Sequence, residues 1–438
     1  LARVEAAAGC SGTAADGSAF TVEAPSSASS QRSARLMGLS GLPTRRFGRT
    51  GISMPVLSLG GMRFQQSWSD LEPDAITAES QRLLQNTLER AVQSGFHHLE
   101  TARHYGSSER QLGWALPDCP DPQRILQTKV PPQSDPKLFE ADLELSFTRL
   151  DVDRVDLLSI HGINLHSHLD QTIRPGGCLD VVRRWQAQGR IGHVGFSTHG
   201  ETALIVAAIE TGVFDYVNLH WYFIRQDNEP AIAAASRQDM GVFIISPTDK
   251  GGHLHTPGSR LLELTDPLHP IVFNDLFCLR DPRVHTLSVG AARPEDLDLH
   301  LEAVALLDQA EQWVAPIETR LRQAEHDALG ASWLTSWRQG LPEWHDTPGE
   351  INLPLLLWLH NLLEAWDLEG FVKARYGLLG RAGHWFPGAN ADALDSSVSE
   401  ELLLSVLQDS PWKDRIPVLL RRLRERAGGS VQERLSSA

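Results

Sequence analysis

The chain has 438 residues, 41% of them hydrophobic and 22% charged, which excludes a collagen-like, wholly disordered or coiled-coil molecule. Forty basic residues face 55 acidic ones, a formal charge of −15. That balance, with no long Lys/Arg cluster, argues against nucleic acid and anionic membrane as partners, while small phosphorylated ligands stay open because backbone amides bind anions locally.

Residues 1–44 are rich in Ala, Ser and Gly without periodicity and are expected to form a disordered lead-in, with Met37 just ahead of the ordered pattern. Glu5, Asp16 and Glu23 argue against a transit peptide there, and a secretory signal would need an apolar stretch that the segment lacks. Beyond it, nearly continuous apolar runs at 55–60, 98–102, 125–130, 155–162, 191–198, 216–220, 242–247 and 284–290 predict strands buried on both faces of a parallel sheet. Amphipathic stretches at 81–93, 109–116, 135–150, 179–188, 201–210, 231–239 and 271–279 predict the helices between them. Eight strands alternating with helices over about 250 residues predict an α/β fold, a (β/α)8 TIM barrel spanning 45–300. A doubly wound sheet is disfavoured: no G-x-G-x-x-G follows the first run, and no G-x-x-x-x-G-K-[ST] occurs.

Past residue 300 the texture changes. Helical patterns at 301–329, 353–368, 398–407 and 416–426 predict an all-helical C-terminal domain over 301–438, and eight of the twelve tryptophans fall there. Trp313, Trp333, Trp337, Trp344, Trp358, Trp366, Trp385 and Trp412 are expected to fill its core, packed on the barrel as an appendage. The run 420–424, Leu and Arg mixed, reads as a solvated basic helix face.

Cys10, Cys119, Cys178 and Cys278 stand apart, with no Cys-x-x-Cys pair. This predicts reduced thiols in a cytoplasmic protein. No run approaches the ~20 apolar residues needed to span a bilayer, so the protein is expected to be soluble. His161, His166 and His168, and His253 with His255, have loose spacings that read as loop histidines, so no metal site is expected.

The chemistry is concentrated at strand ends. Active-site groups of such barrels sit at the C-terminal ends of the strands, and there Glu100, Tyr105, Lys129 and His161 emerge from three successive predicted strands. A tyrosine becomes a better proton donor beside an ammonium, a buried lysine needs a carboxylate to stay charged, and a histidine can donate to and orient a carbonyl oxygen.

These residues belong to a set of spaced motifs: Arg46-Phe47-Gly48-Arg49-Thr50-Gly51, Gly60-Gly61-Met62-Arg63, the run 100–109 from Glu100 to Glu109, Thr128-Lys129, His161, Gly195-Phe196-Ser197-Thr198 and the run 288–295 from Ser288 to Glu295. With them the chain resembles the aldo/keto reductases over about 45–300, most of all a bacterial oxidoreductase subgroup with an additional C-terminal domain. Relatives in that subgroup often carry a ferredoxin-like Cys cluster; none is present here, so no iron–sulfur cluster is expected. The resemblance implies NAD(P)H-dependent reduction of a small-molecule aldehyde or ketone, with Tyr105 as general acid, Lys129 lowering its pKa and His161 orienting the carbonyl. Glu100 stands where the family has aspartate. The resemblance also implies NADP or NAD as cofactor, NADP favoured, held by Gly61, Met62, Ser197, Thr198, Asn218, Ser246, Lys250, Gly290 and Arg293. Thr198 replaces the family's usual Asn. Ile245 replaces its stacking aromatic, a role left to Trp221 or Tyr222. Asp296, close to Arg293, would repel an adenosine 2′-phosphate. Trp68, Ile163, Asn164, Trp221 and Tyr222 are candidate substrate walls. Two other classes stand beside the reductase: a nucleotide-binding regulatory protein on a catalytically degenerate barrel, and an assembly protein docking through the helical domain.

Overall fold

The computed structural model describes residues 41–429, so the expected lead-in over 1–40, with Met37 and Cys10, lies outside the described residues. Thr44, the last residue of the expected lead-in, is the first of a strand. Thr44–Arg46 (β1) pairs antiparallel with Ser53–Pro55 (β2). The hairpin is held because Phe47 beyond β1 is fully buried with Met54, Tyr216 and Phe243. A Cβ on Gly241 would lie 2.5 Å from the Phe47 ring, so this glycine makes the seat. The hairpin thereby plugs the end of the barrel where the strands start, away from their C-terminal ends.

The eight expected barrel strands form: Leu57–Gly60 (β3), His98–Glu100 (β4), Ile125–Val130 (β5), Val155–His161 (β6), Ile191–Ser197 (β7), Tyr216–Leu219 (β8), Gly241–Ile244 (β9) and Thr286–Val289 (β10). They close in the order β10-β3-β4-β5-β6-β7-β8-β9, all parallel. Helices surround them, so the fold is the (β/α)8 barrel. Several strands end earlier than their apolar runs. β9 stops at Ile244 because Ser246 adopts φ 52°, a left-handed backbone that no ladder continues.

The outer helices are Ala78–Gln93 (α1), Ser108–Ala115 (α2), Pro136–Leu150 (α3), His166–Ile173 (α4), Cys178–Ala187 (α5), Thr202–Glu210 (α6), Glu229–Arg237 (α7), Ser259–Thr265 (α8) and Pro270–Leu279 (α9). The short α4 and α8 were not expected from the sequence. Cys119, Cys178 and Cys278 are buried free thiols.

The single helix expected over 301–329 is broken. Asp298–Ala305 (α10) ends at a 3-10 turn, Leu307–Gln309, before Ala310–Leu329 (α11). The break lets α10 pack on α9, where His300 meets Asp275, while α11 turns to face a further layer. Residue 300, the expected boundary, thus falls inside α10. Beyond α11 come Ala331–Ser336 (α12), Leu353–Trp366 (α13), Glu369–Leu378 (α14), Glu400–Ser405 (α15) and Ile416–Ala427 (α16).

The tryptophans do not build the core of this layer. Leu353, Leu356, Leu357, Leu359, Leu362 and Leu363 of α13 are buried, whereas only Trp333 and Trp366 of the eight tryptophans are. An indole needs a partner for its N–H, which places it at boundaries. Trp358 Nε1 accordingly donates to Ile224 O of a barrel loop (3.0 Å), and Trp366 Nε1 to Leu321 O (2.9 Å). On α16, Leu419, Leu420 and Leu423 point inward. Its basic face is paired rather than simply solvated, with Arg421 and Arg424 on Asp395. No helix among the described residues is long and apolar enough to cross a membrane.

Candidate active site

Neighbouring strands bring three of the four strand-end residues together. Glu100 closes β4, Lys129 lies near the end of β5, and His161 closes β6. Lys129 is 1% exposed and forms an ion pair with Glu100 Oε2. Its Nζ also donates to Thr101 O (3.0 Å) and lies 3.5 Å from Tyr105 Oη and 4.8 Å from that ring's centroid. Burial pushes the Lys129 ammonium well below the usual lysine range, and the Glu100 carboxylate is the charge that opposes this. Glu100 Oε1 accepts from Ser288 Oγ (2.8 Å) on β10, the next strand beyond β3. The longer side chain fits because residue 60 is glycine: a Cβ there would lie 2.5 Å from Ser288 Oγ and 3.0 Å from Glu100 Oε1.

Tyr105 sits half-buried on the turn between β4 and α2, its ring edge-on to His161 with centroids 5.6 Å apart. The turn needs Gly106, which adopts φ 54°. A Cβ at that position would drive into the Ser67 carbonyl. A buried ionic network fixes the same turn from below. Arg103 pairs with Glu109 (2.6 Å) and with Asp70, and Glu109 accepts from Thr128 Oγ1 (2.6 Å) beside Lys129. Through Asp70 the loop carrying Trp68 is tied to the β4 end.

These groups line one cavity of about 90 Å3. Of the sequence-predicted residues, Glu100, Tyr105, Lys129, His161, Met62, Ser197, Ser246, Lys250, Gly290, Ile245 and Trp68 line it. Others do not. Gly61 starts a 3-10 turn behind the wall, and its missing Cβ lets the Glu100 backbone approach. Thr198 spends its hydroxyl on Ile163 O (2.7 Å) and on the Gly200 N–H (2.9 Å). Arg293 is an exposed side chain whose Nε lies 3.1 Å from Asp296 Oδ1. Asn218 lies in the barrel interior beside Ser197, with Nδ2 buried and lacking a hydrogen-bond partner.

Neither Trp221 nor Tyr222 supplies an aromatic wall. Trp221 stacks on Phe277 (5.1 Å), and Tyr222 donates its hydroxyl to Ile245 O, accepting from His220 Nδ1 (2.5 Å). Asn164 is a brace, accepting from the His199 N–H (2.7 Å), and Ile163 is core. Among the side chains missed in the sequence are Trp385, His199, Arg63, His104 and His255, all lining the cavity. Trp385 belongs to the C-terminal layer, and no local pattern marks it.

Lys250 Nζ lies 3.2 Å from His199 Nε2 and 3.4 Å from His220 Nε2. Burial, with Lys250 adding to it, pushes the His220 imidazole well below its ordinary range, so it meets the ammonium as a neutral acceptor. Next to it Asp249 pairs with Arg375 of α14 (3.0 Å), so the C-terminal layer braces the loop that holds Lys250. With Arg63, Lys129 and Lys250 against Glu100 and Asp249, the walls favour an anionic or strongly polar ligand. Among the described residues no group of His, Cys, Asp and Glu is arranged to hold a metal ion. His168, from the histidine run, instead donates to Gly162 O (3.0 Å).

Residues 56–258 match the family model described as the aldo/keto reductase family. Among solved structures, the holo form of the aldo-keto reductase AKR11C1 from Bacillus halodurans is 17% identical (TM-score 0.52), over 63% of this chain and 96% of that one. The thermostable aldo-keto reductase Tm1743, solved with the inhibitor epalrestat, is 20% identical (TM-score 0.51), over 63% of this chain and 99% of that one. An aldo-keto reductase from Klebsiella pneumoniae solved with NADPH is 17% identical (TM-score 0.49), over 62% of this chain and 95% of that one.

Proposed function

Through residues 56–258 the chain belongs to the aldo/keto reductase family, and from that premise we propose that it reduces an aldehyde or ketone using NADPH or NADH. The observation that carries this reading is the convergence of Tyr105, Lys129, Glu100 and His161 on one cavity, with Lys129 Nζ 3.5 Å from Tyr105 Oη. A reduced nicotinamide, when bound, supplies the hydride. Ser197, which lines the cavity, has a hydroxyl to offer its carboxamide, and Lys250 offers a cation to its phosphates. Arg293, already engaged by Asp296, is poorly placed to favour the extra phosphate of NADPH.

The chain's own residues then divide the acid chemistry. As charge builds on the carbonyl oxygen, Tyr105 Oη delivers its proton there. Phenolate left behind is stabilised by the Lys129 ammonium, and Glu100 keeps that ammonium charged despite its burial. His161 closes the other side of the oxygen site, edge-on to Tyr105, where a ring N–H orients the carbonyl.

The test is a fluorescence titration with NADPH and NADH followed by turnover on a panel of aldehydes and ketones. Saturable binding, and a kcat that falls by about 10²-fold or more in Tyr105→Phe with cofactor affinity kept, are expected. Binding without turnover in the native chain would favour the regulatory reading instead.

A further inference from the structure

We propose that Trp385, supplied by the helical layer beyond the family-matched segment, is a specificity-determining residue that restricts the active site to short, slender carbonyl compounds. The inference rests on the reductase reading above.

Trp385 lies on a loop between α14 and α15. The loop is closed at its base by the Gly380 N–H on Gly388 O (2.7 Å), and the 3-10 turn Gly383–Trp385 forms its tip. The tip is docked on the barrel by His384, whose Nδ1 accepts from Asn164 Nδ2 (3.0 Å) and whose ring lies edge-on to His168 at 4.8 Å. Trp385 then reaches the barrel mouth. Its ring is 5.3 Å from His161 and 5.0 Å from His199, both edge-on, and it lines the same cavity as Tyr105 and Lys129.

The barrel is shaped to receive this indole. Gly162, immediately after His161, adopts φ 82°, and a Cβ there would lie 2.5 Å from Trp385 Cη2. So the residue following the carbonyl-orienting histidine is one that leaves room for a side chain more than 200 positions away. With the indole seated, the cavity measures about 90 Å3. The same space must also admit part of the cofactor, and the indole beside His161 narrows what remains for a substrate. A benzene ring attached to the carbonyl would compete with the indole for its place.

The experiment compares kcat/KM of the full chain for propanal and for benzaldehyde. Propanal is expected to be favoured by the native chain. Trp385→Ala should raise the benzaldehyde-to-propanal ratio about tenfold or more, the scale set by a few added or removed carbon groups in a pocket. Trp385→Phe should stay within about threefold of the native ratio, being aromatic and close in shape. His384→Ala loosens the docking without altering the cavity wall and should move the ratio in the same direction as Trp385→Ala; it decides the matter should Trp385→Ala fail to fold. A native chain that takes benzaldehyde as readily as propanal, or a ratio untouched in both alanine variants while turnover persists, overturns this inference alone. No reduction of either aldehyde by any form overturns it together with the reductase reading.

Discussion

Glu100 holds a partner on either side of its own strand: Oε2 faces Lys129 Nζ on β5, and Oε1 takes the Ser288 hydroxyl of β10, beyond β3, at 2.8 Å. The extra methylene relative to aspartate is what allows one carboxylate to reach both. Glu100→Gln removes the charge and keeps the shape. Lys129, already pushed down by burial, then loses the group that holds it protonated. We expect kcat to fall by about 10²-fold or more at neutral pH. Stability is expected to drop by about 3 kcal/mol, the scale for removing one partner of a buried ion pair. Steady-state kinetics and denaturant unfolding check both. Full activity in Glu100→Gln would mean that the Lys129 charge is not needed.

Gly106→Ala tests the turn that presents Tyr105. At φ 54° an L side chain is strained, and here its Cβ also drives into the Ser67 carbonyl. Relief requires the 67–68 backbone to move, which carries Trp68 away from the cavity it lines. A loss of about 1–3 kcal/mol is expected, with reduced kcat because Tyr105 shifts with the turn. Urea unfolding read beside kcat tests this. An unchanged midpoint would show that the loop yields freely.

The barrel was legible in the sequence because strands buried on both faces leave nearly continuous apolar runs such as 155–162 and 242–247, and because the ends of three strands carried Glu100, Lys129 and His161. What the periodicity hid had different causes. Three-residue strands such as Thr44–Arg46 are too short and too polar to show alternation, and their seat, Phe47 against Gly241, is a contact across about 200 residues. Residue type says nothing about side-chain direction, so Thr198 and Arg293 stand at motif positions yet point elsewhere, to Ile163 O and Asp296. Size alone suggests that the tryptophans fill the core, whereas an indole with a polar N–H also suits a boundary, as Trp358 shows by donating to Ile224 O. One boundary position, Trp385, became a wall of the cavity, and only the folded chain brings it to His161.

Asp296→Asn addresses the choice between the two nicotinamide cofactors. The Asp296 carboxylate accepts from the Ala292 N–H (2.9 Å) and binds Arg293 Nε (3.1 Å). Asparagine retains an oxygen for Ala292 while removing the charge that occupies Arg293. Freed of it, the guanidinium becomes available to a phosphate, and the NADPH-to-NADH affinity ratio should rise about tenfold, a gain of roughly 1.4 kcal/mol. Fluorescence titration of both cofactors against the native chain and the variant gives the ratio. An identical ratio would show that Arg293 lies out of reach of the adenosine end.

Acid should destabilise the protein well above the carboxylate range, through buried histidines. Burial pushes His98 down to about 3 and His360 down to about 4, with Lys129 adding to the first and Arg415, Arg422 and Arg426 to the second. In the unfolded chain both titrate near ~6.5. Above that value both states are neutral and the histidines contribute nothing to the pH dependence. Below it the unfolded state binds protons that the folded state refuses, so stability falls as pH drops, down to the folded values near 4 and 3. The loss is on the order of 1–2 kcal/mol per histidine by pH 5. Asp215, Asp281 and Asp296 are held below the ordinary carboxylate value, so their stabilisation is lost only below about pH 4 and is separable. Unfolding free energies at pH 7.5, 6 and 5 should therefore slope downward in the native chain. His360→Gln, whatever its own stability, should show a shallower slope by one histidine's share. Parallel slopes would mean that His360 takes up its proton in the folded state.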